Sequence, residues 1–154
     1  MMTENNELIY HTCYAYLIHH LPMKKNLKIF DRSTAENEIE KIKCVSPVRL
    51  CLVFTEDCLR IKRFGRNTNR YKWHTLFYEQ IQFYYSTHDE NNLIILGIIS
   101  PSGRKRGYQY LYVENKDDLQ KVEETLHQIA EHRLQILKQV PEISQININN
   151  SNNE

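Results

Sequence analysis

Apolar positions recur every three or four residues between Lys116 and about Gln139. Leu119, Val122, Leu126, Ile129, Ala130 and Leu137 fall on one face of a 3.6-residue helix, with Arg133 in the same register. Asn115 can cap this helix, and Asp117 and Asp118 favour the positive end of its dipole. Pro141 follows closely and cannot continue it. A shorter helix is predicted from Ser33, with Ala35, Ile39 and Ile42 as its apolar face. Ser33 and Glu36 have the spacing of a capping box, and Pro47 requires an end by about Val45.

Elsewhere the period is two, the signature of half-buried strands. Leu8 to Leu21 alternates imperfectly and reads as a first strand. Val48, Leu50, Leu52 and Phe54 alternate with Arg49, Cys51 and Val53 before a Thr55-Glu56-Asp57 turn. Leu59 and Ile61 continue on the next strand, and a polar turn spans Gly65 to Arg70. Trp73, Thr75 and Phe77 alternate on a fourth strand, and Ile81, Phe83 and Tyr85 on a fifth. Trp73, Phe77 and Phe83 read most simply as core. Leu93 to Ile99 is an unbroken apolar run, as expected of a central strand buried on both faces. Tyr108, Tyr110 and Tyr112 share one face of a seventh strand, and Leu111 and Val113 the other.

The order is thus one strand, one helix, six strands and one helix. Successive strands with short turns form an antiparallel meander. The expected class is α+β, mainly β: a seven-stranded antiparallel sandwich or partly open barrel. The C-terminal helix caps it, and an extra helix lies between strands 1 and 2. Residues 8–139 form the domain. Residues 1–7 are expected to be flexible and the Asn-rich 140–154 disordered.

Composition adds limits. The 154 residues suffice for one domain, and ten tyrosines lean towards β structure. A net charge of +1 argues against nucleic acid as a partner. Charge is concentrated locally, however: Arg60, Lys62, Arg63, Arg66, Arg70 and Lys72 lie in one run, and Arg104, Lys105 and Arg106 in another. Lys24, Lys25 and Lys28 surround a turn after the first strand. Such runs either face phosphate or keep strand edges soluble. Cys13, Cys44, Cys51 and Cys58 have neither CxxC nor zinc spacing, so no metal site or cofactor is expected. Cys51 and Cys58 could approach across a hairpin, although inert thiols are the simpler reading. His19 and His20 are adjacent and should point to opposite faces. His127 and Glu131 have the spacing of a helical surface pair. No nucleophile context, acid–base pair or phosphate loop stands out, so no catalytic residue is assigned. There is no signal peptide and no apolar run of membrane-spanning length, which points to a cytoplasmic protein.

The element order resembles the PH-like superfold and, within it, the phosphotyrosine-binding (PTB, or PID) domain. The helix at Ser33–Cys44 and the absence of Trp from Lys116–Gln139 favour PTB over a plain PH domain. Val48-Arg-Leu-Cys-Leu-Val-Phe-Thr-Glu-Asp-Cys-Leu-Arg-Ile resembles the family's second and third strands. Glu79-Gln-Ile-Gln-Phe-Tyr-Tyr-Ser resembles its fifth, and Arg106-Gly-Tyr-Gln-Tyr-Leu the strand before the last helix. The resemblance implies a non-enzymatic adaptor that adds an extended, Asn-Pro-x-Tyr-like peptide to the edge of the fifth strand. That edge comprises Ile81, Gln82, Phe83, Tyr84, Tyr85 and Ser86. The facing helix wall comprises Leu126, Ile129, Ala130, Arg133 and Leu134. Relatives often carry Phe where Ala130 stands. Arg106 aligns with a phosphate-pairing arginine, but the expected partner lysine aligns with Ser100. This implies either phosphate-independent recognition or an altered pocket using Arg104 or Lys105. Tyr84 and Tyr85 are bulky for a binding strand and narrow the groove.

The implied partner is a cytoplasmic tail or signalling protein. The alternative is a phosphoinositide-binding module recruited to anionic membranes through Lys24, Lys25 and Lys28 together with one of the other basic runs. A third reading is a constitutive interaction subunit.

Overall fold

The computed structural model describes residues 8–27, 29–43, 46–64, 73–87 and 92–139, with side chains described as far as residue 132. The predicted polar turn at Gly65–Arg70, the tail, Lys28 and Cys44 lie outside the described residues. So do the cations Arg66, Arg70 and Lys72.

The first strand, β1 (Ile9–Pro22), is followed by α1 (Arg32–Ile39). Six more strands come next: β2 (Val48–Thr55), β3 (Cys58–Phe64), β4 (Trp73–Phe77), β5 (Ile81–Ser86), β6 (Leu93–Ile99) and β7 (Arg106–Val113). The chain then enters α2 (Lys116–Gln139). All strand pairs are antiparallel, in the order β4-β3-β2-β1-β7-β6-β5. The predicted strand-and-helix order is therefore formed. β1 holds it together because it is long enough to pair with β2 through Ile9–Leu17 and with β7 through Ala15–Pro22. Its imperfect alternation has a cause: the register shifts between Ile9 and His11 and again between Leu17 and His19. Each extra residue moves the following side chains to the other face.

Two cores result, one on each side of the β5–β6–β7 region. The larger joins Cys13, Leu50, Leu52, Phe54, Leu59, Ile94, Leu96, Leu111 and Val113 to Leu119, Val122 and Leu126 of α2. Burying each such side chain contributes about 1.5–3 kcal/mol, which holds the helix across the sheet. The smaller gathers Ile95, Tyr108 and Tyr110 under Ala35 of α1, with Phe30, Phe83, Tyr85, Ile39 and Ile42 around them. β6 serves both cores, which explains its unbroken apolar run.

Several local expectations change. Asp31, not Ser33, caps α1: its carboxylate accepts from Ser33 N at 2.8 Å and from Thr34 Oγ1 at 2.6 Å. The carboxylate thus satisfies the first turn from two residues upstream. Glu36 bonds instead to Arg32 and the Tyr85 hydroxyl. The helix ends at Ile39, earlier than Pro47 required. Trp73 and Phe77 are 44% and 49% exposed, so neither is core. β4 is an outer strand whose inward side chain is the buried Leu76. Cys51 pairs in register with Lys62, whereas Cys58 begins β3 opposite Phe77, so the two thiols are far apart along the hairpin. Cys13, Cys51 and Cys58 are buried and free, and burial pushes the Cys13 thiol up to about 12.

Candidate functional site

β5 is the terminal strand of the sheet and pairs only with β6 among the described residues. Its alternation is broken at Gln82, where the register shifts between Ile81 and Phe83. The predicted Ile81–Phe83–Tyr85 face is therefore divided. Ile81 and Tyr84 pack with the α2 core, while Phe83 and Tyr85 pack with the α1 core. Gln82 is exposed.

The division decides what the two tyrosines do. Tyr85 leaves the groove: its hydroxyl donates to Glu36 and accepts from Arg32 at 3.3 Å, with the guanidinium 4.6 Å from the ring centroid. The Glu36 bond raises its pKa. Tyr84 remains beside α2, where burial first, then Glu123 and Glu131, raise its pKa. Ser86 is buried and hydrogen-bonds Glu123, which ties the end of β5 to the helix.

On α2, Leu126 is buried, Ile129 half-buried and Ala130 exposed. Arg133 and Leu134 belong to the helix, but their side chains lie outside the described residues. Tyr78, Ile81, Tyr84, Leu126, Ile129 and Ala130 enclose an apolar dimple of about 50 Å³. The pattern of apolar positions did not single out Tyr78. It is buried and donates to Thr55 O at 2.6 Å, which fixes the 3-10 turn leading into β5.

A much larger cavity, about 590 Å³, opens beside the Ile81 end of β5. Ile98, the register partner of Ile81, is part of its lining. Lys24 and Lys25 enter from the turn after β1, and Arg104, Lys105 and Arg106 from the β6–β7 hairpin. Its described lining thus brings together two basic groups that lie far apart in sequence, and it contains no carboxylate. Their meeting follows from the register: Pro22 pairs with Gly107, and Met23 N donates to Arg106 O at 2.9 Å. The hairpin is held by Ser100 N on Lys105 O at 2.8 Å and Lys105 N on Ser100 Oγ at 3.1 Å. Gly103 takes a φ of 74°, which favours glycine at this turn. Arg106 Nε is buried and meets no acceptor among the described residues. An unmet buried guanidinium donor in a cationic cavity favours an oxyanion. His20 also lines the cavity, a contribution that its place in a strand did not suggest.

The sequence from residue 5 to 134 matches the family model of the trematode PH-like domain. The chain belongs to that family. This PH-like domain overlaps the C-terminal phosphotyrosine interaction domain of mouse APBB2, with a TM-score of 0.57 and 11% identity, over 85% of this chain and 92% of that one. A likeness at such low identity is one of fold. The Ran-binding domain of Nup2 from Ashbya gossypii overlaps with a TM-score of 0.43 and 19% identity, over 82% of this chain and 97% of that one. No curated protein matches the sequence. No described helix of the PH-like domain is long and apolar enough to cross a membrane.

Proposed function

We propose that this PH-like domain is a non-enzymatic interaction module that takes an extended peptide as an extra strand on β5, alongside α2. The observation that carries the reading is the position of β5. It ends the sheet, so one edge of its backbone is unpaired among the described residues, and α2 flanks it. A ligand backbone can satisfy those N–H and C=O groups, and the dimple beside Ala130 supplies side-chain selection. At about 50 Å³ that dimple suits a small apolar side chain better than an aromatic one. Titration of the labelled domain with an Asn-Pro-x-Tyr peptide should shift the amides of Ile81–Ser86 and of Leu126–Ala130. Unmoved β5 amides at saturating peptide would sink the proposal.

A second reading has its own observation. The cavity that joins Lys24 and Lys25 to Arg104, Lys105 and Arg106 supports a phosphate-bearing ligand, either on the peptide or on a phosphoinositide headgroup. The lysine missing at Ser100 has spatial substitutes in Lys24 and Lys25. Arg106→Ala should then abolish most affinity for the phosphorylated ligand and leave binding of the unphosphorylated peptide nearly unchanged. Equal affinities for wild type and Arg106→Ala on a phosphorylated ligand would remove the cavity from recognition.

A further inference from the structure

His20 is the one titratable side chain near neutral pH in the described lining of the basic cavity. Its location depends on a missing side chain. The imidazole lies over Gly107, where a Cβ would come within 2.7 Å of His20 Cε1 and 3.3 Å of Nε2. Gly107 directly follows Arg106, and both line the same cavity as His20. The neighbouring groups are known on each side. Gln109 faces it from β7, Lys24 and Lys25 lie on the turn after β1, and Arg104 and Lys105 lie on the hairpin. His19, its chain neighbour, turns to the other face, where Nε2 lies 3.0 Å from Glu38 Oε1 and the ring meets Tyr110 edge-on. The described residues around His20 therefore supply positive charge and no carboxylate.

The pKa of His20 is lowered, first by burial and then by His19. An oxyanion seated among the five cations reverses the balance. An opposite charge within about 4–6 Å raises such a group by roughly 1–3 pKa units, and each unit corresponds to a tenfold change in affinity.

We infer that His20 is a proton-dependent contact of the basic cavity, so that seating a phosphate-type oxyanion there takes up a proton on the imidazole. This rests on the reading of the cavity as an anion seat. The sign follows from linkage: affinity rises as pH falls from above the bound-state pKa of His20 to below its empty-state pKa, and is level outside that window. The protonated ring then adds a charge-assisted donor to the cavity's lining.

Sulfate is a suitable probe because its charge does not change where histidine titrates, between about pH 5 and 8. Across that interval wild type should bind sulfate at least about tenfold more tightly at the acid end. His20→Gln, which keeps a polar group but cannot titrate, should show little change, whereas His19→Gln, which removes one of the two influences that lower His20, should keep the pH dependence with its window displaced to higher pH. The NMR titration of the His20 ring should move to higher pH in the presence of sulfate. Equal pH slopes for wild type and His20→Gln, or an unmoved His20 titration with sulfate bound, overturns the proton linkage alone. No sulfate binding at any pH overturns the anion-seat reading with it. O-phosphotyrosine and a soluble inositol trisphosphate then distinguish the peptide from the lipid source. Whichever binds must shift His20, and binding without that shift overturns the inference.

Discussion

β4 and β5 are the two outer strands of one sheet, and both present an unpaired edge among the described residues. They differ in what stands beside them. β4 has five residues, four of them exposed, with Trp73, Thr75 and Phe77 on its outward face. Lys62 Nζ lies 5.5 Å from the Trp73 ring centroid, so a charge from the next strand partly covers that face. β5 is supported on both sides: α2 packs against Ile81 and Tyr84, and α1 braces Phe83 and Tyr85. An exposed edge offers only hydrogen bonds that any extended chain can make. A wall beside such an edge makes a groove, and of the two strands β5 has that wall among the described residues.

Removing the wall should have the largest effect. Leu126→Ala takes a buried side chain from the α2–sheet contact and should lower stability by about 2–5 kcal/mol in denaturant unfolding. A loss below about 1 kcal/mol would mean that α2 is not seated on the sheet. The brace under the other face is smaller. Tyr110→Phe removes the hydroxyl that donates to the buried Ala35 carbonyl at 2.8 Å. That should cost about 0.5–1.5 kcal/mol and loosen α1 first, seen as faster amide exchange near Ala35 than in β2.

The comparison itself is tested by matched surface changes. Ala130→Arg fills the dimple without disturbing the core and should weaken peptide binding at least about tenfold, some 1.4 kcal/mol, with an unchanged melting temperature. Thr75→Arg on β4 should leave affinity as it was. Equal losses from both would show that the edges are equivalent and that the wall contributes nothing.

Acid should have the mildest effect. His11 on β1 lies 3.2 Å from Asp118 at the start of α2. Its pKa is nevertheless lowered, chiefly by burial and further by Lys121, with Asp118 acting in the other direction. A base held below its unfolded value of about 6.5 supports the fold above that pH, and the support is lost as pH falls through the folded value. The denaturant midpoint should therefore decline from about pH 7.5 to 5.5, and His11→Gln should flatten part of that decline. A midpoint that rises on acidification would contradict the sign.

Much of this was legible locally. The 3.6-residue period and Asn115 located α2, and Asp117 N does donate to Asn115 Oδ1, at 2.8 Å. The period of two located β2, β3 and β7, because alternation follows from the pleat and from one buried face. His127 and Glu131 form the expected exposed pair, at 3.1 Å. Other features were hidden for physical reasons. The bulge at Gln82 adds one residue to a ladder whose partner is distant in sequence, so Ile81 could not be assigned to a different face from Phe83 and Tyr85. Trp73 and Phe77 alternate as core residues do, and alternation does not say which face is inward. Ser33 and Glu36 satisfy the capping-box spacing, yet Asp31 takes the cap because its carboxylate reaches two donors at once.

The sequence by itself determined the elements, their order and hence the fold, since each depends on side-chain periodicity and on caps and breakers within a few residues. It also marked three separate basic segments and a strand edge beside a helix. The tertiary structure alone decided that Lys24 and Lys25 meet Arg104, Lys105 and Arg106 in one cavity, and that His20 joins them over Gly107. Those contacts come from the β1–β7 register, set by burial of both strands across more than eighty residues of chain, where no local pattern reaches.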